Sequence, residues 1–187
     1  IATFGRRFGK SAIRPYAINR MMRTRTGWVE GACAFQSHAE AERSWEADGI
    51  SLAGAISKSK NADQNRYHDF KPMRREIPGL PVIENNGGRV YYPSFQPGSA
   101  RGFQGHGLHF FIGDELSHWD VQEGWYETAE PMLSDTGGHA LLIGTPIPEG
   151  PGFAQFADLA ERCDPTSQFY NPRWVRFTGK SEENPFI

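Results

Sequence analysis

The sequence predicts an α/β fold, a parallel or mixed central sheet flanked by helices. Three observations predict it: apolar runs of strand length at residues 28–35, 108–112 and 140–143, helix-compatible stretches between them, and glycine turns beside them. Continuous apolar runs, as at 108–112 and 140–143, belong to strands buried on both faces, as in a parallel sheet covered by helices. At 187 residues and 38% hydrophobic content the chain suits one compact domain, while 21 Gly and 13 Pro predict much turn and loop.

Taken in order, residues 1–4 read as the last residues of a strand whose upstream part has been removed, because a Gly-rich turn and helix-compatible sequence follow at once. A helix is expected from Ser11 to about Met22. Pro15 falls in its first turns, where proline is best tolerated, and Arg20, Arg23 and Arg25 suit its C-terminal dipole. Residues 28–35 form a buried strand candidate, and Ser37 followed three residues later by Glu40 predicts a capping box opening a helix to about Ala47. Residues 57–81 are polar, proline-marked and basic through Lys58, Lys60, Arg66, Lys71, Arg74 and Arg75. They read as a mobile insertion. After the Asn85-Asn86-Gly87-Gly88 turn, residues 89–95 alternate like a strand, and the 108–112 and 140–143 runs follow, the latter after Gly137-Gly138. No internal repeat occurs.

Bulk composition limits the function classes. No stretch approaches the roughly 20 apolar residues of a membrane-spanning helix, and the Arg-punctuated start is unlike a signal peptide, so a soluble, intracellular chain is expected. Cys33 and Cys163 lack CxxC spacing and suggest neither a disulfide framework nor a zinc site. The net charge of −2 hides an asymmetry: residues 1–89 hold 15 Lys+Arg against 9 Asp+Glu, and residues 90–187 hold 5 against 13. A basic half is compatible with a nucleic-acid partner, and equally with scattered surface charge.

The chemistry-bearing motifs come in a definite order. Gly5-Arg6-Arg7-Phe8-Gly9-Lys10-Ser11 joins a strand end to a helix start, the context a P-loop requires. Glycines let backbone N–H groups turn toward phosphate oxygens and the helix N-terminus adds positive potential. Lys10 can bridge the β and γ phosphates, and Ser11 can ligate Mg²⁺. Phe4 stands where the full pattern wants a small residue, and the plain alternative is a Gly-rich turn with a solvated lysine. About a hundred residues on, Phe110-Phe111-Ile112-Gly113-Asp114-Glu115 is an apolar run ending in two carboxylates, like a Walker B strand. Asp114 would bind Mg²⁺ and Glu115 would orient and deprotonate the attacking water. Gly113 departs from the bulkier residue expected there, although a glycine admits close backbone approach. A third run, Leu141-Leu142-Ile143-Gly144-Thr145-Pro146, ends in a hydroxyl that could sense the γ-phosphate.

Together, GRRFGKS, SARGFQGHGLHFFIGDELSHW, LLIGTPIPEGPGFAQF and SEENPFI make the chain similar over essentially its whole length to the ATPase domain of the large terminase subunit of tailed bacteriophages. The resemblance implies a P-loop NTPase fold of the ASCE type, with residues 1–180 as the ATPase domain and 181–187 opening a linker, through Asn184-Pro185, to a nuclease domain not in this sequence. It implies a Mg²⁺-dependent ATPase that drives double-stranded DNA into a procapsid. The motor would be a homo-oligomeric ring on the portal protein, with the small terminase subunit as partner, in the cytoplasm of the infected bacterium and with no membrane. Arg101, in the Arg101-Gly102 pair, would reach a neighbouring subunit's ATP, Thr145 would couple, and Arg6 and Arg7 compete for phosphate contact within the subunit. Rival readings are a helicase-like remodelling ATPase, which would normally carry a second motor domain, and a nucleotide-binding or scaffold protein with a degenerate P-loop. The basic stretch from Lys58 to Arg75 is the candidate DNA contact. The His106/His109 pair and the Trp119, Trp125, Tyr126 group are read as structural.

Overall fold

Side-chain alternation along one short strand divides the protein into two cores. The computed structural model describes residues 2–4, 10–24, 27–57, 73–77, 80–85 and 87–179. In β6 (Phe110–Gly113), Phe110 and Ile112 face one side of the sheet and Phe111 the other, the period of two that strands impose. On the first side they meet Ile18 and Met22 of α1 (Lys10–Thr24) and Trp45 and Leu52 of α2 (His38–Ser57). On the second, Phe111 joins Phe95, Phe103, Trp119 and Trp125. Burial of each such side chain contributes about 1.5–3 kcal/mol, so β6 is fixed from both faces.

The remaining strands are β1 (Ala2–Phe4), β2 (Val29–Ala34), β3 (Met73–Ile77), β4 (Leu80–Asn85), β5 (Gly88–Tyr91), β7 (His139–Gly144) and β8 (Phe177–Gly179). A π-helical segment, Gln122–Ala129, runs into α3 (Glu130–Ser134), and α4 (Phe153–Glu161) follows β7. Among the described residues eight strands form one sheet ordered β3-β4-β5-β2-β6-β7-β1-β8. From β5 to β8 every pairing is parallel, while β3, β4 and β5 pair antiparallel, so the sheet is mixed and flanked by helices. Strand β7 lies between β1 and β6, although it comes last of the three in the chain. Connections reverse direction there, and in open α/β sheets the crevice at the carboxyl ends of such a switch point binds ligands.

Three expectations are corrected. The helix expected to end at about Ala47 continues to Ser57. Asp48-Gly49 reads as a stop, yet Asp48 is buried against the sheet and a Cβ at Gly49 would meet only Ile83 Cδ1, at 3.8 Å. The stretch 57–81, read as a mobile insertion, contains β3, paired antiparallel with β4 from Met73↔Glu84 to Ile77↔Leu80. Its consecutive charges Arg74-Arg75-Glu76 hide the strand because it lies at the sheet edge, where polar side chains are admitted. Residues 58–72 lie outside the described residues. The strand expected over 89–95 is shorter, since Pro93 cannot continue the ladder. Half of the capping box is present: Glu40 N donates to Ser37 Oγ at 3.3 Å, while the Glu40 carboxylate accepts from Gln36 Nε2 at 2.8 Å.

Candidate active site

Register brings the ends of three strands together. Gly113 of β6 pairs with Leu142 of β7, and Gly144 of β7 pairs with Thr3 of β1, so Asp114, Thr145 and the end of β1 lie at the same edge of the sheet. At about 4.8 Å between neighbours, β6 and β1 stand about 10 Å apart there. Helix α1 opens at Lys10, and Ser11 lies in its first turn. Gly5, Arg6, Arg7, Phe8 and Gly9 lie outside the described residues, as does the Asn184-Pro185 segment.

At the end of β6, Asp114 N donates to Ala34 O at 3.1 Å, which extends the β2 ladder by one residue and fixes where the carboxylate starts. Glu115 then adopts φ 55°, ψ 49°, alone among the described non-glycine residues in having a positive φ. That left-handed conformation costs an ordinary residue about 1–2 kcal/mol. It turns the chain sharply out of the strand into the 3₁₀ turn Leu116–His118 and leaves Glu115 half-buried at the strand tip. Gly113 is explained by the same turn. A Cβ there would lie 2.8 Å from Trp119 Cη2 and 3.0 Å from Leu116 Cδ1, so the indole packs where a bulkier residue would stand. Thr145 follows β7 and is half-buried, and its carbonyl accepts from Ser117 Oγ at 2.8 Å.

Two charged residues absent from the sequence reading complete the acidic strand end. Arg14 lies in line with Ile18 and Met22 on α1, and Asp48 with Ala41, Trp45 and Leu52 on α2; helical spacing delivers both to the sheet, and all are buried. Arg14 Nη1 donates to Asp114 Oδ2 at 2.6 Å, Nε to Asp48 Oδ2 at 3.2 Å and Nη2 to Asp48 Oδ1 at 3.4 Å. Tyr92 Oη donates to Asp48 Oδ2 at 3.1 Å, and the guanidinium lies over the Phe35 ring at 5.1 Å. Burial opposes the charge on Arg14, but the two carboxylates outweigh it and hold its pKa above the ordinary value. Burial raises Asp48 above the usual carboxylate range, against the pull of Arg14, and pushes the Cys33 thiol and the Tyr92 phenol well up.

One guanidinium between two carboxylates leaves a formal charge of −1 on the trio. Of the two carboxylates Asp114 is the more exposed, its side chain 11% exposed against 3% for Asp48. A hard divalent cation takes carboxylate and hydroxyl oxygens, so Asp114, at the end of β6, and Ser11, in the first turn of α1, are by residue type the groups that could hold Mg²⁺.

Arg101 stands apart from this cluster. It lies in the 3₁₀ turn Ala100–Phe103 with its side chain 69% exposed, Nη2 donating to Glu127 Oε2 at 3.2 Å. Its backbone is held more firmly than its guanidinium: the buried Glu123 carboxylate accepts from Gly98 N at 2.7 Å and from Arg101 N at 3.3 Å. His109 Nδ1 accepts from Glu30 N at 3.0 Å, His106 packs against Phe103 and Tyr91, and Trp119 and Trp125 are core residues. Tyr126 packs under the Arg162 guanidinium.

No protein-family model and no curated protein sequence matches the chain, whereas solved structures do. The large terminase ATPase domain of Thermus phage P74-26 superposes with a TM-score of 0.65 at 17% identity, covering 96% of this chain and 74% of that one. The large terminase of a thermophilic bacteriophage, in complex with ADP, gives 0.59 at 17% identity over 100% of this chain and 41% of that one. The HK97 bacteriophage large terminase gives 0.57 at 10% identity over 88% of this chain and 33% of that one. Among the described residues no helix is long and apolar enough to cross a membrane. The chain has the fold of the ATPase domain of phage large terminases.

Proposed function

We propose that the chain hydrolyses ATP as the motor domain of a large terminase that packages double-stranded viral DNA into a procapsid. The observation that carries this reading is Glu115, held half-buried in a left-handed conformation immediately after the buried Asp114, at the sheet edge where β1 also ends. Strain in a non-glycine residue persists only where the surroundings enforce it, and such residues cluster at functional sites. A helix N-terminus favours a bound γ-phosphate, and a carboxylate at the end of the acidic strand is the group that would orient its attacking water.

The roles follow from position and chemistry. Gly5, Arg6, Arg7, Phe8 and Gly9 are by sequence the phosphate-binding segment, and Lys10 is the residue to bridge the β and γ phosphates. Glu115 orients the water and accepts its proton. A bound Mg²⁺, held by Ser11 and Asp114, would neutralise charge on the phosphate oxygens. Thr145, tied through its own carbonyl to the turn that follows Glu115, reports loss of the γ-phosphate. Arg101, exposed and held by a single surface pair, is free to exchange Glu127 for phosphate oxygens of a neighbouring subunit in a ring. The domain spans residues 1–180 and leads through 181–187 to a nuclease domain. It works on the portal of the procapsid in the host cytoplasm, with the small terminase subunit and DNA as partners.

The test is Glu115→Gln in the full-length assembled protein. A positioned general base is worth about 10²–10⁴ in rate. ATP binding is expected to persist while steady-state hydrolysis falls by at least 10². Undiminished hydrolysis overturns the assignment. A domain assayed alone lacks a neighbour's Arg101, so the assembled protein is the material to use.

A further inference from the structure

We propose that Arg14 is the positioning residue for the metal-binding carboxylate, presenting Asp114 by one oxygen while Asp48 holds Arg14 from behind; this rests on the ATPase reading above. Arg14 lies three residues after Ser11, so the helix that opens on the phosphates also carries the group that holds Asp114. Its fork is divided: Nε and Nη2 serve Asp48, while Nη1 alone serves Asp114 at 2.6 Å through Oδ2. Asp48 is in turn held by Tyr92 Oη, and Phe35 covers the guanidinium face. Four elements therefore fix one carboxylate: α1, α2, the end of β2 and the segment after β5. Hydrogen-bond partners behind a metal-binding carboxylate typically contribute 10- to 100-fold in metal affinity, because they remove the orientational freedom that binding must otherwise suppress.

Charge and orientation can be separated here. Removing Arg14 alone would leave two buried carboxylates without their counter-charge, a strongly destabilising change. In the double variant Arg14→Met/Asp48→Asn, the trio keeps its formal charge of −1, now on Asp114 alone. Electrostatic attraction for a cation is then preserved and only the anchoring of Asp114 is lost.

The experiment measures binding of a non-hydrolysable fluorescent ATP analogue to the full-length protein in EDTA and across a Mg²⁺ titration. In the wild type Mg²⁺ tightens binding, and Asp114→Asn abolishes that gain. In R14M/D48N the Mg²⁺ concentration for half-maximal tightening rises about 10- to 100-fold, while affinity in EDTA stays within about twofold. A folded double variant with unchanged Mg²⁺ half-saturation overturns the proposal. So does a parallel loss in EDTA, which would make Arg14 a support for α1 rather than for Asp114. If the wild type binds no nucleotide, the ATPase reading itself falls and this inference with it. Should the double variant not fold, Arg14→Lys decides. Its ammonium keeps the charge but cannot serve both carboxylates, so a rise of threefold or more supports the positioning role and an unchanged value overturns it.

Discussion

Replacing Glu115 by glycine should stabilise the protein relative to alanine, the reverse of what the same pair of substitutions does almost anywhere else. Glu115 sits at φ 55°, ψ 49°, where a residue with a Cβ loses about 1–2 kcal/mol and glycine loses nothing. Against this, glycine surrenders more backbone entropy on folding, about 0.5–1 kcal/mol. The difference leaves Glu115→Gly ahead of Glu115→Ala by about 0 to 1.5 kcal/mol, with a central value of about 0.75. Whatever the carboxylate touches is lost in both variants and cancels. In a domain of this size 1 kcal/mol corresponds to about 2–4 °C in Tm. Thermal denaturation of the two variants measures it, with Asp158, exposed within α4, as the ordinary case: there glycine should fall below alanine by about 1 kcal/mol. A Glu115→Gly variant that falls below Glu115→Ala by as much as the Asp158 pair does would refute the claim that the strand tip stores backbone strain. Glu115→Gln keeps the backbone strain, so hydrolysis is lost in that variant without release of the strain.

Three further outcomes are expected. Gly113→Ala places a methyl 2.8 Å from Trp119 Cη2 and 3.0 Å from Leu116 Cδ1, an overpacking that should cost about 1–3 kcal/mol in urea denaturation; no loss would mean that the indole moves freely. Arg101→Ala removes one exposed ion pair and should change stability by less than about 1 kcal/mol while sharply slowing hydrolysis in the assembled ring; equal rates would remove Arg101 from the site. Asp48 binds its proton more tightly folded than unfolded, because burial disfavours its charge. The stability of wild type relative to Asp48→Asn should therefore increase as pH falls from 7 toward its ordinary value of 3.8, and level off below it; urea melts across that range showing the opposite slope would refute the assignment.

Much of this site could be read from residue order, and the parts that could not share a physical cause. The runs at 108–112 and 140–143 announced buried strands because parallel strands covered on both faces cannot alternate, and β6 and β7 lie there. Asp114, Glu115 and Thr145 were legible as polar residues following such runs. Arg14 and Asp48 were not, since a charged residue is normally read as solvent-facing. The signal was present nonetheless: each occupies an apolar helical stripe, with Ile18 and Met22 in one case and Ala41, Trp45 and Leu52 in the other, and the two carry opposite charge. Strands β3, β4 and β8 were missed: β3 and β8 are edge strands, which tolerate polar or exposed residues and so lose the pattern by which central strands are found, and β4 begins inside the proline-marked stretch read as an insertion. Gly113 illustrates the converse, a visible departure whose reason, the indole of Trp119, lies six residues away and in the third dimension.

The glycines after β7 carry a consequence for anyone rebuilding this protein. A Cβ at Gly150 would collide with Ser117 O and one at Gly152 with Leu116 O, while Gly152 N donates to Ser117 O at 3.1 Å and Ser117 Oγ to Thr145 O at 2.8 Å. The loop leading into α4 and the turn following Glu115 are thus stapled by one backbone hydrogen bond and one from the Ser117 hydroxyl, with no room for a side chain at Gly150 or Gly152. A graft that exchanges one of these loops for a homologous loop must bring the other with it. A library that varies them separately will be dominated by chains in which neither is correctly seated.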